Sequence, residues 1–473
     1  MKKYFLYAVI LFLGLTSFTA QSVWGQDADY SSKFWTRASG VMDKDPDKEG
    51  RKIFEKLFAS QLSLWSSDTT QISAMKQGLN EFLDRLSKSE NGPKACEVAA
   101  DVMFAQLKEV VLGKEKDVVR INAVIMIGEL NSSLSLKVTP YAKARPFLKE
   151  LLKSKEPAIQ IAALSGLALH VNPQNPRNLK DQKEQRELNI RSEEKEELAK
   201  IFAQYAFAPL AKGDAIGTPE AQWMRIFSLE ALGNLGIAGP KNEYAVKLLE
   251  SATTQSKPLE SPYFRRDMDR RIMAALAFSK LKISEDALRD LKKKPAEISE
   301  IMTKLFLSFM KYEYDYDFDL MENQNGDEMG GDPSMRRAIV QMTPEEEAFQ
   351  IRLWKQRTKA VAMAFSWIFT NKESNLVKMM GGDSQFKKVA QKISGISTMY
   401  DRAGLPKKKR PTRSNDPENP EIMPEESMIH TTDGRLSLYT MQKDMRTALM
   451  ELGEEAGIPV NIEKKKRQTD MYY

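Results

Sequence analysis

One helical pattern, written four times, constrains this chain more than any other feature. It reads RINAVIMIGEL from Arg120, QIAALSGLALH from Gln160, RIFSLEALGNL from Arg225 and RIMAALAFSKL from Arg271. In each copy a long polar residue precedes an isoleucine (Ile121, Ile161, Ile226, Ile272). A small residue follows two places on (Ala123, Ala163, Ser228, Ala274), and an apolar one closes the next turn (Ile127, Leu167, Leu232, Phe278). Helices this apolar around their circumference do not stand alone in water; neighbours stacked on both sides bury the excess.

At 473 residues the chain exceeds one ordinary core, so it forms either two or three domains or one elongated stack of repeats. Ala, Leu, Met, Glu, Lys and Arg dominate and alternating β-branched runs are few, which favours a mostly α-helical protein and the stack.

The units between the pattern helices carry the repeat further. Ala142 to Lys153 reads as a second, oppositely directed helix, and Glu156-Pro157 opens the next unit with proline at a tolerated first-turn position. This helix-turn-helix unit resembles the HEAT and armadillo class of α-solenoid repeats over residues 94–312. The resemblance implies an all-α, HEAT-like superhelix that binds other macromolecules along its surface. The pattern isoleucines stand 40, 65 and 46 residues apart, against about 40 to 47 for that class. The long step contains Asn172 to Glu194, a polar stretch that reads as a loop inserted into one repeat. Thr218-Pro219-Glu220 then starts the third pattern helix with an N-cap.

Residues 26–93 read as capping helices, with Ile53, Leu57 and Leu62, then Ile72, Leu79 and Leu83, at helical spacing. Residues 313–342 read as an acidic flexible loop, after which Thr343-Pro344-Glu345-Glu346 starts the closing helices of the body, 343–401. Residues 402–430, with five prolines between Arg402 and Ser427, read as a disordered linker. Beyond it, 431–473 is expected to form a small β-α-β unit with a basic tail. Leu436 and Leu438 alternate, Met445, Leu449 and Leu452 share a helical face, and Ile458, Val460 and Ile462 alternate again. The run MRTALMELGEEAGIPVNI from Met445 resembles the first half of the short N-terminal domain of secretins and TonB-dependent receptors, which would imply an envelope assembly as partner.

Lys2 and Lys3 before the apolar run Tyr4 to Leu15, with Val23-Trp24-Gly25 ahead of Gln26, have the layout of a secretory signal peptide, residues 1–25. An uncleaved anchor is the rival, since Tyr4 to Ala20 nearly reaches bilayer length. No later stretch is apolar for long enough to span a membrane. The single cysteine, Cys96, excludes an intramolecular disulfide, and its apolar neighbours suit a small buried hydrophobe better than a reactive thiol.

With 71 basic and 65 acidic side chains, the charge balance does not point to nucleic acid. The basic clusters Lys407, Lys408, Lys409, Arg410 and Lys464, Lys465, Lys466, Arg467 could attract an acidic protein face or envelope polymer, or simply solvate the chain. Gln160, Arg225 and Arg271, one per repeat, form either a polar binding ladder or caps on neighbouring helices. His170 and His430 are the only histidines and have no partner at ligand spacing, so neither a zinc site nor a nucleophile-base pair is indicated. Asp315, Asp317 and Asp319 could face a hard cation, but an EF-hand register with Gly326 sixth puts Met321 where an oxygen ligand is required. Trp223, Trp354 and Trp367 lie on apolar faces and read as core.

These readings converge on an exported, periplasmic or secreted, non-enzymatic scaffold of the bacterial cell envelope, without cofactor, whose partner is a protein or envelope polymer. A self-associating structural protein and a metal-dependent enzyme using the acidic loop are the alternatives.

Overall fold

The computed structural model describes residues 39–40, 42–67, 71–133, 138–173, 188–208, 218–255, 264–284, 291, 294–322, 344–402 and 444–462. The expected signal peptide, nearly all of the linker, the first C-terminal strand and both basic clusters lie outside them. Among the described residues the protein is all-α. Its one strand pair, β1 (Asn131–Ser133) with β2 (Thr139–Pro140), is a short antiparallel ladder. The chain divides into two compact units, 1–237 and 238–473.

The first unit opens with α1 (Glu49–Ser67) and α2 (Gln71–Ser87), whose Phe54 stacks on Phe58 at 5.8 Å and on Phe82 at 5.1 Å. Both helices pack on α3 (Gly92–Leu112), which pairs with α4 (Asp117–Glu129). Next come α5 (Ala144–Leu151) with α6 (Pro157–His170), then α7 (Ser192–Ala206) with α8 (Pro219–Leu235). The pattern helices α4, α6 and α8 are each the second member of a pair, and α6 packs against both α4 and α8. The repeated small residue explains how: Ala123, Ala163 and Ser228 are fully buried, and so are Ile127, Leu167 and Leu232. Fully burying an apolar side chain of this size contributes about 1.5–3 kcal/mol.

Helix α7 begins inside the stretch read as an inserted loop, because Leu198, Phe202 and Ala206 recur at helical spacing and are buried. Residues 174–187 of that stretch lie outside the described residues. At the other end of the hairpin, the Thr218 side chain accepts from the Ala221 amide at 3.3 Å, as its N-cap position predicts. Gly236, at φ 70°, closes α8 in the left-handed conformation that glycine adopts without a Cβ clash.

The second unit contains α9 (Glu243–Thr253), α10 (Phe264–Lys280), α11 (Pro295–Glu322), α12 (Pro344–Thr370), α13 (Asn375–Met380), α14 (Ser384–Arg402) and α15 (444–455). Here α9 pairs with α10, the fourth pattern helix, and α11 packs on α9, α10 and α12. Two expectations are corrected. Residues 313–322, read as the start of an acidic flexible loop, are helical: the helix beginning at Pro295 runs to Glu322, and its buried Glu313 pairs with Arg265 and Arg357. Residues 458–462, read as a strand, pair in no ladder among the described residues and turn back onto α15. There the Ile458 amide donates to Gly453 O at 2.8 Å and Arg446 Nε donates to Ile462 O at 2.9 Å. Alternation alone does not make a strand when the backbone groups find partners in a helix end and a side chain.

Candidate binding surface

The polar residue that opens each copy of the pattern has the same task in all four hairpins. Arg120 Nε donates to Val111 O at the end of α3 (3.1 Å). Gln160 Nε2 donates to Leu152 O (3.2 Å) and Ser154 O (2.7 Å) just past α5. Arg225 Nη2 donates to Ala208 O just past α7 (2.6 Å), and Arg271 Nε to Ala252 O in the last turn of α9 (3.1 Å). Each therefore satisfies a carbonyl in the last turn of the preceding helix or within three residues of its end, and places positive or donor character near the negative end of that helix. Arg225 and Arg271 are only 8% exposed. Of the two readings open to Gln160, Arg225 and Arg271, the geometry selects the caps.

Truncating such a cap removes a charge-assisted bond and leaves a carbonyl poorly satisfied, so Arg225→Ala and Arg271→Ala should each lower stability by about 2 kcal/mol. Denaturant unfolding of the full chain measures this. A loss near zero for both would return these side chains to the binding-ladder reading.

First helices of successive pairs are joined by ions rather than by small residues. Tyr141 and Lys143, just ahead of α5, both donate to Asp101 of α3, the lysine at 2.7 Å. Burial would raise the Asp101 carboxyl, but these two bonds hold it below its ordinary value. Arg145, 3% exposed, forks onto Glu194 of α7 at 2.6 and 3.1 Å and also donates to Asn189 O at 3.1 Å, while Lys149 reaches Glu197 at 2.8 Å. Arg120 adds a fork onto Glu156, the N-cap of α6, at 2.9 and 3.0 Å.

The second unit holds a denser cluster where α10, α11 and α12 meet. Glu313, fully buried, receives Arg265 at 3.1 Å and Arg357 at 3.3 Å, while its backbone O accepts from Trp354 Nε1 at 3.0 Å. Arg357 also reaches Asp269 at 2.8 Å and lies over the Phe309 ring at 5.2 Å. Burial pushes the Asp269 carboxyl up to about 7 against the pull of Arg265 and Arg266. Yet 39% of its side chain meets solvent and Arg357 is bonded to it, so the ion-paired carboxylate is the form this geometry describes. Close by, Asp267 pairs with Arg270 at 2.9 Å. Burial lowers the Arg271 guanidinium from its ordinary value, and Asp267 opposes that shift.

Among the described residues no group of three or more His, Cys, Asp or Glu side chains is arranged to hold a metal ion. The backbone at Asp315, Asp317 and Asp319 is helical. His170 and Cys96 are fully buried. Trp354 is core, as expected; Trp223 is half-buried and stacked on Phe227 at 5.8 Å, leaving a partly open aromatic face on α8. No described helix is long and apolar enough to cross a membrane.

The basic clusters Lys407 to Arg410 and Lys464 to Arg467 lie outside the described residues. What sequence reasoning missed is the ion set Arg145, Glu194, Glu313 and Arg357. Its pairs, Arg145 with Glu194 and Glu313 with Arg357, are 49 and 44 residues apart in the chain, separations at which no periodicity signals a contact. No family model, no curated protein and no solved structure matches the chain.

Proposed function

We propose that the protein is an exported, non-enzymatic scaffold of HEAT-like helical hairpins that binds a protein or an acidic polymer in the bacterial cell envelope. The observation that carries this reading is the cap that recurs at Arg120, Gln160, Arg225 and Arg271: four hairpins solve the same end-capping problem in the same way. A repeated unit that uses its polar signature internally leaves recognition to the surface of the stack and to its inserted segments. The lysine-rich clusters at 407–410 and 464–467 would supply a second, electrostatic contact.

Affinity capture from envelope extracts tests this, using the chain from Gln26 and a version with both basic clusters changed to serine. A protein or polymer retained by both versions supports recognition by the hairpins, and one lost with the lysines supports the electrostatic contact. No retained component in either case, with the chain found in the cytosolic fraction and still carrying residues 1–25, would overturn the proposal.

A further inference from the structure

The pattern helices leave the same face open. Counted from the polar residue that opens each copy, the positions two before, two after, five after and nine after form an i, i+4, i+7, i+11 stripe along one side of a helix. In α4 they are Val118, Asn122, Ile125 and Glu129, all part-exposed. In α6 they are Ala158, Ala162, Ser165 and Leu169, of which only Ala162 is buried. In α8 they are Trp223, Phe227, Glu230 and Asn234, again part-exposed. From 118 to 130 and from 158 to 170, the cap residue and this stripe hold every side chain that is not buried.

The first unit lays these three stripes side by side. Arg120 near the start of α4 meets Glu156 at the start of α6, and Gly128 near its end meets Gly166, so α4 and α6 run the same way. Arg145 joins the starts of α5 and α7, and Tyr205 Oη joins their ends by donating to Leu152 O. Their hairpin partners α6 and α8 therefore run the same way too, with α6 packed against both α4 and α8. The short side chains of Ala158, Ala162 and Ser165 are flanked by Val118 and Ile125 on one side and by the stacked Trp223 and Phe227 on the other. The result is an apolar furrow over α6, about 10 Å or two helical turns long. At the edge where all three helices end, the stripes turn polar and acidic with Glu129, Glu230 and Asn234, beside the negative ends of parallel helices. No stripe position of α4, α6 or α8 is basic. Glu129 also meets Lys76 of α2 at 3.5 Å, a part-exposed pair of the kind that contributes little and that an incoming cation can displace.

We propose that this furrow docks a helix of a partner protein, apolar along one face and carrying arginine or lysine where that face meets Glu129 and Glu230. The inference rests on the scaffold reading above and gives its partner a chemistry. The chain holds an example of such an occupant. In the second unit the fourth copy of the pattern has Asp269 at the first stripe position. There α12, a helix whose Trp354, Ala362 and Phe365 are buried, packs on α10 and brings Arg357 to Asp269 at 2.8 Å. A furrow two turns long suits the i, i+3 or i+4, i+7 anchors by which an amphipathic helix enters a groove, and the acidic edge fixes which end of that helix is basic.

Photo-cross-linking in the full-length chain tests this. A photoreactive phenylalanine analogue replaces Ser165 in the furrow or, as a control, the exposed Lys153 at the end of α5, and adducts formed in envelope extracts are mapped by mass spectrometry. The expected adduct forms at 165 only, within a partner segment that has apolar residues at helical spacing and Lys or Arg at one end. That segment, made as a peptide, should bind the full-length protein, and Trp223→Ala or Ser165→Arg should each weaken it by about tenfold or more. Glu129→Gln/Glu230→Gln should flatten the loss of peptide binding between about 0.1 and about 1 M salt. Should Trp223→Ala lose its helical circular dichroism signal, Ser165→Arg, at a part-exposed position, decides alone. Adducts at 165 with this chain itself, with an acidic segment or with a polysaccharide overturn the proposal, as does peptide binding unchanged by Ser165→Arg. A partner that is captured but cross-links at neither position, or at 153 alone, refutes the furrow and leaves the scaffold reading standing; no captured partner at all removes both.

Discussion

Gly128→Val should destabilise the first unit by about 3 kcal/mol or more, at the upper end of overpacking costs. A Cβ at position 128 would lie 2.5 Å from Gly166 Cα, backbone against backbone, with no side-chain end able to move aside. The approach is mutual, since a Cβ on Gly166 would meet Gly128 Cα at 2.9 Å and a Leu148 methyl at 3.2 Å. Helices α4 and α6 thus touch where both lack side chains, and any larger residue must push the pattern helices apart. Gly395→Ala is the control: a Cβ there meets nothing within 4 Å, and relieving a glycine inside α14 should add about 1 kcal/mol. Opposite shifts of the denaturation midpoint are expected. Equal, small shifts would mean that α4 and α6 do not pack through these glycines.

Arg357→Met should cost about 3 kcal/mol, the lower end of the range for removing one partner of a buried ion pair, because Arg265 still reaches Glu313. The loss comes mainly from the carboxylate left behind: Glu313 is fully buried and cannot turn to water. Glu313→Gln in the Arg357→Met background should therefore recover part of the loss, and a double-mutant cycle measured by chemical denaturation gives the coupling. Were residues 313 onward a solvated loop, as the acidic composition suggests, both substitutions would be nearly silent and additive.

The contrast at Glu313 shows where sequence reasoning reaches its limit. Glu313, Asp315, Asp317 and Asp319 look alike in the chain, yet the first is a buried partner of two arginines inside a helix that continues to Glu322. Composition averages over neighbours in sequence, whereas burial depends on Arg265 and Arg357, each more than 40 residues away. The same limit hid α7, whose Glu193 and Glu194 belong to a polar run but whose Phe202 faces a core built by other helices.

What the sequence determined by itself was local: the helices, their caps at Thr218 and first-turn prolines at Pro157 and Pro219, and the small, buried positions Ala123, Ala163 and Ser228. These follow from a 3.6-residue period and from backbone groups that need partners within one turn. Only the tertiary structure decided that Gln160, Arg225 and Arg271 cap the helices before them, that Glu313 is buried, and that residues 458–462 turn back on α15 instead of forming a strand. For the caps and for Glu313 the deciding partner lies in another helix or loop, and for 458–462 it lies on the adjoining α15; the bond it offers outweighs the local preference that the pattern expresses.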